Sequence, residues 1–330
     1  MIGTALLDVK NLRKHFAVGG TFGPHGWRLV RAVEDVRFTI APGETLGLVG
    51  ESGSGKSTTA RLLLRLIPAT AGEVWFEGAD VLTLDRPSLK AVRRKMQIVF
   101  QDPYSSLDPR MRVADIIGEA LAAQPRGPTR RAQIAELLEL VGLPASVAPR
   151  LPHEFSGGQR QRIGIARALA VRPSFIVADE PVSALDVSMQ SQILNLFVDL
   201  QRQFGLTYLF ISHDLSVVKH LADRVAVMYL GHLVESAPKR ALYANPLHPY
   251  TQALLAAVPS FEYGRLRRHF VIAPGEIPSP LNPPPGCPYS TRCTRATEEC
   301  RQQMPPLTAR GGNRFVACYH PLDAEMSAAS

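Results

Sequence analysis

Thr45-Leu-Gly-Leu-Val49 runs directly into Gly50-Glu-Ser-Gly-Ser-Gly-Lys56-Ser57, and helical spacing follows over Ser57 to Ile67. The apolar run reads as a buried strand, and the turn fits G-x-x-x-x-G-K-[ST] between a strand and a helix, the context in which that spacing cradles phosphate. Gly50, Gly53 and Gly55 let successive N–H groups and the helix N-terminus turn inward on phosphate oxygens. Lys56 brings a point charge to the β and γ phosphates, and Ser57 offers a hydroxyl to Mg²⁺, which keeps most of its waters. Ser52, Ser54 and Thr58 complete the expected nucleotide contacts. A bare glycine turn with a solvated lysine would lack the flanking strand and helix.

Around this loop the 330 residues hold 45% apolar and 20% charged side chains, an ordinary globular balance that excludes wholesale disorder. A net charge of +8 suits nucleotides, nucleic acid or an anionic membrane surface without choosing among them. No apolar stretch reaches the roughly 18 residues of a membrane span. Asp8 and Lys10 interrupt the place of a leader peptide, so a cytoplasmic protein is expected. Residues 1 to about 255 alternate β-rich runs with helical patterns, the look of an α/β domain. Leu6 to Val9 and Val36 to Ile40 read as strands of a smaller antiparallel sheet, interrupted by a surface loop over Gly19 to Gly26. Proline then occupies seven of the sixteen positions from Ala273 to Pro288, which marks an extended arm in a second region, 256–330.

Phe175-Ile-Val-Ala-Asp179-Glu180 is an apolar strand ending in two carboxylates, at the edge where open parallel sheets collect ligands. Asp179 is expected to hold Mg²⁺ through water, and Glu180, pointing to the other face, to orient or deprotonate the water that attacks the γ phosphate. A second strand, Leu206 to Ser212, delivers His213 to the same edge, where it can donate to the γ phosphate. Phe155-Ser156-Gly157-Gly158-Gln159 precedes another helix, with Ser156 a natural N-cap and two glycines open to an anion. Two phosphate-binding ends in one chain pose a geometric problem, since one nucleotide fills one pocket. Head-to-tail dimerisation solves it, each serine-glycine turn closing on the partner's nucleotide.

These motifs together resemble an ATP-binding-cassette ATPase. The likeness runs through the phosphate loop, Gln101 in Val-Phe-Gln-Asp-Pro, the signature Ser156 to Gln159, Asp179-Glu180, the D-loop Ser183 to Asp186, and His213, all in family order. Phe155 stands where leucine is commoner. The resemblance implies a RecA-like core with an antiparallel β subdomain and a helical subdomain over roughly 103–170. It also implies that Gln101 reaches Mg²⁺ and the attacking water, and that Phe16 stacks on adenine, with Trp27 a weaker candidate and a core phenylalanine the rival reading.

Gln97 to Arg110 and Asn245 to Leu255 are similar to the oligopeptide/dipeptide importer ATPases. That likeness implies a heterodimer with a second related ATPase beneath two membrane permeases, at the cytoplasmic face of the membrane, fed by an extracytoplasmic binding protein. A nickel or other small-solute importer is the neighbouring alternative. A nucleic-acid-handling relative is disfavoured, because Ser57 to Ser156 leaves about 100 residues, too few for the long insertions of repair ATPases. All four cysteines, Cys287, Cys293, Cys300 and Cys318, lie in the last 44 residues, spaced C-x5-C-x6-C-x17-C. Four thiolates suit either a [4Fe–4S] cluster or zinc, and the resemblance favours iron–sulfur.

Overall fold

The computed structural model describes residues 5–19, 28–102, 104, 106–121, 127–257, 260–262, 265–267 and 276–322. Gly20 to Trp27, which include most of the expected glycine loop and the weaker adenine candidate, lie outside the described residues. Two compact units divide the chain, one from 1–41, 45–83 and 212–330, the other from 42–44 and 84–211.

Along the chain, β1 (Leu7–Val18) and β2 (Arg28–Ile40) pair antiparallel, from Leu7↔Ile40 to Val18↔Arg28. Both are longer than the apolar alternation foretells, because exposed and half-buried residues continue the ladder past the buried Leu12 and Val33. β3 (Thr45–Val49) is wholly buried, as the sequence predicts, and leads through the phosphate loop to α1 (Lys56–Leu63), which ends before the expected Ile67. β4 (Ala71–Phe76) pairs with β1, and β5 (Ala79–Asp80) closes a four-stranded sheet ordered β2-β1-β4-β5.

The second unit follows with α2 (Arg86–Lys95), capped by the Asp85 carboxylate accepting from the Ser88 N–H at 3.0 Å. β6 (Met96–Val99), α3 (Val113–Ala120), α4 (Pro128–Leu140) and α5 (Gly157–Leu169) come next. β7 (Phe175–Asp179) and β8 (Thr207–Ser212) flank α6 (Val187–Phe204), which stops at Gly205 in the left-handed region with φ 64°. β7 pairs in parallel with both β6 and β8. Every residue of β7 and β8 is buried, the continuous apolar run expected of parallel strands covered on both faces. Phe197 of α6 packs edge-on against Tyr208 and Phe210 of β8 with ring centroids 5.5 and 5.8 Å apart.

Back in the first unit come α7 (Leu215–Leu221), β9 (Arg224–Tyr229), β10 (His232–Pro238), α8 (Lys239–Ala244) and α9 (Pro249–Ala256). β9 runs parallel to β3 and antiparallel to β10. A small hairpin of β11 (Ser260–Glu262) and β12 (Arg265–Arg267) precedes the tail, which holds α10 (Glu298–Gln302), β13 (Thr308–Ala309) and β14 (Phe315–Val316). β14 pairs with β10, so the cysteine-bearing tail adds a strand to the sheet that carries β3.

Glu235 of β10 fastens this junction. It is fully buried, accepts from the N–H groups of Leu247 and His248 at 2.8 Å each, and faces Arg314 at 4.0 Å. Burial pushes its pKa up, against the pull of those donors. Glu235→Ala strands two amide donors and a guanidinium, so it should cost about 3 kcal/mol. Urea unfolding should show a lower midpoint with an unchanged slope.

Candidate functional site

The phosphate loop is shaped by contacts that leave no room for side chains. A β-carbon on Gly50 (φ 156°) would lie 2.1 Å from the Met228 carbonyl oxygen, and one on Gly55 (φ 102°) 2.2 Å from that of Ala32. Both obstacles are backbone, which cannot swing away. Lys56 is buried, and its Nζ donates to the carbonyls of Gly50 (2.7 Å) and Glu51 (2.9 Å) and meets Ser54 Oγ at 3.4 Å. The Ser54 N–H donates to Glu51 O, and the Gly231 N–H to Ser54 O. Ser52 and Gly53 are exposed, while Ser57 and Thr58 in the first turn of α1 are half-buried.

Phe16, on β1 of the same unit, is 37% exposed, with Lys14 Nζ 4.8 Å from its ring centroid. The rival core reading is therefore excluded, and the ring is open to stack. Behind it, Glu34 accepts from His15 at 2.7 Å and pairs with Arg13 at 3.1 Å. His213 follows β8 directly and is exposed, while Asp214 beside it is spent as the cap of α7.

The second unit gathers Gln101, Asp179 and Glu180. Asp179 is buried at the end of β7. Gln101 Nε2 donates to Glu180 Oε2 at 3.2 Å. Glu180 itself adopts φ 48°, outside the strand. The expectation that simple alternation sends its side chain to the opposite face thus meets a chain that turns left-handed at that residue. Such a backbone costs roughly 1–3 kcal/mol and persists only where neighbours hold it. Here the Glu180 N–H donates to Ile211 O, and its carbonyl accepts from both the N–H and the Oγ of Ser183. The sequence places Ser183 only at the start of the D-loop, because a hydroxyl holding a carbonyl has no motif signal.

At the signature, Ser156 Oγ accepts from the Gln159 N–H at 3.3 Å while Gln159 Oε1 accepts from the Ser156 N–H at 3.0 Å, a reciprocal cap on α5. A β-carbon on Gly158 would meet Met189 Cε at 2.1 Å, whereas on Gly157 the nearest atom is Leu185 Cδ2 at 3.3 Å. Phe155 is buried beneath the Arg150 guanidinium, 4.7 Å from its ring centroid, so the phenylalanine acts as an apolar anchor. Asp186 caps α6, accepting from the Met189 N–H (2.9 Å) and Ser188 Oγ (2.7 Å), and these bonds hold its pKa below the usual range. A cavity of about 700 Å³ lies at the opposite ends of these strands, lined by Pro173, Leu206 and α4, and none of the site residues borders it.

The family ABC transporter matches residues 33–183, and the family oligopeptide/dipeptide transporter, C-terminal region, matches 234–300. The Bacillus subtilis oligopeptide transport ATP-binding protein AppF is 50% identical over 95% of this chain and 97% of its own. The chain belongs to the ABC transporter ATP-binding proteins. A Sinorhizobium fredii relative designated a peptide ABC transporter ATP-binding protein is 53% identical over 96% of this chain and 90% of its own. Among solved structures, the ATP-binding cassette MJ0796 in a dimeric post-hydrolysis state bound to ADP and Pi superposes with TM-score 0.63 at 31% identity, covering 71% of this chain and 99% of that one. The protein is thus an ABC ATPase with the P-loop α/β fold, and ATP with Mg²⁺ is its expected substrate pair. Among the described residues no helix is long and apolar enough to cross a membrane.

In the tail of this ATPase the four cysteines are free thiols that line one small void of about 10 Å³. Among the described residues, no three His, Cys, Asp or Glu side chains stand at separations that hold a metal ion. Burial pushes Cys287 up to about 12 and Cys318 up to about 11, and raises Cys293 as well. His248 borders the same void, fully buried, and burial drives it down to about 3, so its ring is neutral. Its Nδ1 accepts from the Tyr250 N–H at 3.0 Å, which places the ring proton on Nε2, an atom with no partner among the described residues. The four sulfurs and the orphaned N–H donor share this void, but at these separations the described residues do not form the iron–sulfur or zinc site expected from the spacing.

Ser183→Ala removes one of the bonds that hold the Glu180 carbonyl. About 1 kcal/mol of lost positioning should lower kcat about fivefold while ATP affinity stays unchanged. Steady-state hydrolysis and equilibrium binding of a fluorescent ATP analogue separate the two.

Proposed function

We propose that this ATPase powers peptide import, with residues 1–255 as the nucleotide-binding domain and 256–330 as an extension specific to peptide importers. The observation that carries the hydrolytic half is the Gln101–Glu180 hydrogen bond, which joins a carboxylate base to the amide that orients it. Lys56 and the loop amides receive the β and γ phosphates, Phe16 stacks on adenine, and His213 donates to the γ phosphate as charge grows there. Ser57 of the first unit, and Gln101 and Asp179 of the second, would each offer an oxygen to Mg²⁺, which would supply charge neutralisation on the phosphate oxygens. Glu180 aligns the attacking water and takes its proton. The exposed Ser156 and the open face of Gly157 close on the nucleotide of a second ATPase subunit, and Asp186 fixes the helix that backs them.

Peptide as cargo is supported by the names of relatives that align across nearly the whole chain, including the match at 234–300. On this reading the protein sits at the cytoplasmic face of the membrane, as one half of a heterodimer beneath two permeases, with an extracytoplasmic binding protein delivering peptide. Closure of the dimer on ATP shifts the permeases, and hydrolysis reopens it.

Glu180→Gln should retain ATP binding, lower hydrolysis at least about a hundredfold and trap the ATPase dimer in membranes. Unaltered turnover would remove the base. Copurified permeases from those membranes, and ATPase stimulation by peptide-loaded binding protein and not by nickel, test the cargo.

The tail cysteines are assigned to a [4Fe–4S] cluster, with zinc the alternative. Cys287, Cys293, Cys300 and Cys318 would ligate it, and His248 Nε2–H would donate to sulfur. Such a group supplies a cross-link for a segment too small to have a core of its own. Anaerobically purified protein should contain about four irons and four acid-labile sulfides per chain, whereas one zinc without sulfide would give the site to zinc.

A further inference from the structure

Glu51, the first variable residue of the phosphate loop, is held from the tail. Arg292 Nη1 donates to both Glu51 carboxylate oxygens, at 3.2 and 3.0 Å, and meets the Tyr229 hydroxyl at 3.4 Å. The ion pair is sheltered, with the arginine side chain 9% and the glutamate 26% exposed. From α9, the Tyr250 hydroxyl accepts from the Glu51 N–H at 3.0 Å. The Glu51 carbonyl accepts in turn from Lys56 and from the Ser54 N–H. Side chain, N–H and carbonyl of one loop residue are therefore all engaged, two of the three by residues about 200 and 241 positions away.

The grip is itself braced. Tyr229, Tyr250 and Tyr289 pack ring against ring, with centroids 4.5 to 5.3 Å apart. Arg292 rests against Tyr229 and Tyr289, and its N–H donates to Tyr289 O. It lies between Cys287 and Cys293 in sequence, in the turn where the Cys287 N–H donates to Cys300 O at 2.7 Å.

An acidic side chain in a loop built to receive phosphates is a liability unless its charge is neutralised and turned aside. We propose that Arg292 is a positioning residue for ATP: by neutralising and tethering Glu51 it keeps the phosphate loop in its anion-binding shape, so that the cysteine-bearing tail sets the affinity for nucleotide. The proposal rests on the assignment of Gly50 to Ser57 as the phosphate loop. It does not depend on what the cysteines bind, and it gives the tail a role in the ATP cycle.

In the full-length protein, Arg292→Gln should raise the dissociation constant of a fluorescent ATP analogue about tenfold and raise KM alike, with kcat at saturation within about twofold of the parent. Arg292→Lys, which restores charge without the fork, should fall between. In a Glu51→Gln background the same Arg292→Gln change should cost under about twofold, because no carboxylate is left to hold. Equal losses in both backgrounds, or an unchanged dissociation constant in a Arg292→Gln protein with the parent's urea midpoint, would overturn the proposal. If Arg292→Gln lowers that midpoint, Tyr250→Phe and Arg292→Lys carry the test, and parent-like affinity in both is equally fatal. Lys56→Ala is the control: intact ATP binding there condemns the loop assignment, whereas loss there with no effect at Arg292 condemns the tether alone.

Discussion

Backbone touching backbone governs this ATPase. The carbonyl of Met228 on β9 and that of Ala32 on β2 press against the phosphate loop where any β-carbon at Gly50 or Gly55 would intrude. The loop is thereby clamped between β9, the parallel neighbour of β3, and β2 of the antiparallel sheet, strands that both lie in the first unit. Lys56 folds back on the same loop and donates to the carbonyls of Gly50 and Glu51. A loop backbone held this way is fixed before phosphate arrives, and that is where preorganised dipoles gain their advantage over water.

Much of this was legible in the sequence, for a physical reason. Phosphate loops, buried parallel strands and helix caps are local: Thr45 to Ser57, Phe175 to Glu180 and Ser156 to Gln159 each carry their own geometry in thirteen residues or fewer. What escaped was non-local or conformational. The length of β1 and β2 depends on backbone ladder hydrogen bonds that continue where the side chains are no longer buried. Gly158 reads as an anion-binding glycine, yet its β-carbon is excluded by Met189, thirty-one residues on. The link from Arg292 to Glu51 spans 241 positions, and no spacing rule connects them. Phe16 illustrates the remaining case, in which sequence leaves core and platform both open and only measured exposure decides.

The signature turn makes sense once donor and acceptor are kept apart. The Ser156 hydroxyl accepts from Gln159, which occupies a lone pair and leaves its own hydrogen to donate. Capping and anion recognition are therefore compatible in one side chain. Because Gln159 returns a bond to the Ser156 N–H, the hydroxyl is held at the helix end before any anion comes. The partial positive charge of that helix end adds to the same effect.

The two carboxylates at the end of β7 show how one backbone angle separates two roles. Val99 of β6 lies opposite Ala178 of β7 in parallel register, so Gln101 and Glu180, each two residues further on, leave the sheet side by side. Asp179 stays in the strand and is buried, while at Glu180 the chain turns to φ 48°. Continued strand geometry would simply alternate the two side chains across the sheet. The left-handed turn instead brings the second carboxylate to the Gln101 amide, held there by Ile211 and Ser183. A strained backbone braced by three hydrogen bonds is hard to displace, and a base that must align a water gains from being hard to displace, since misalignment there is lost rate.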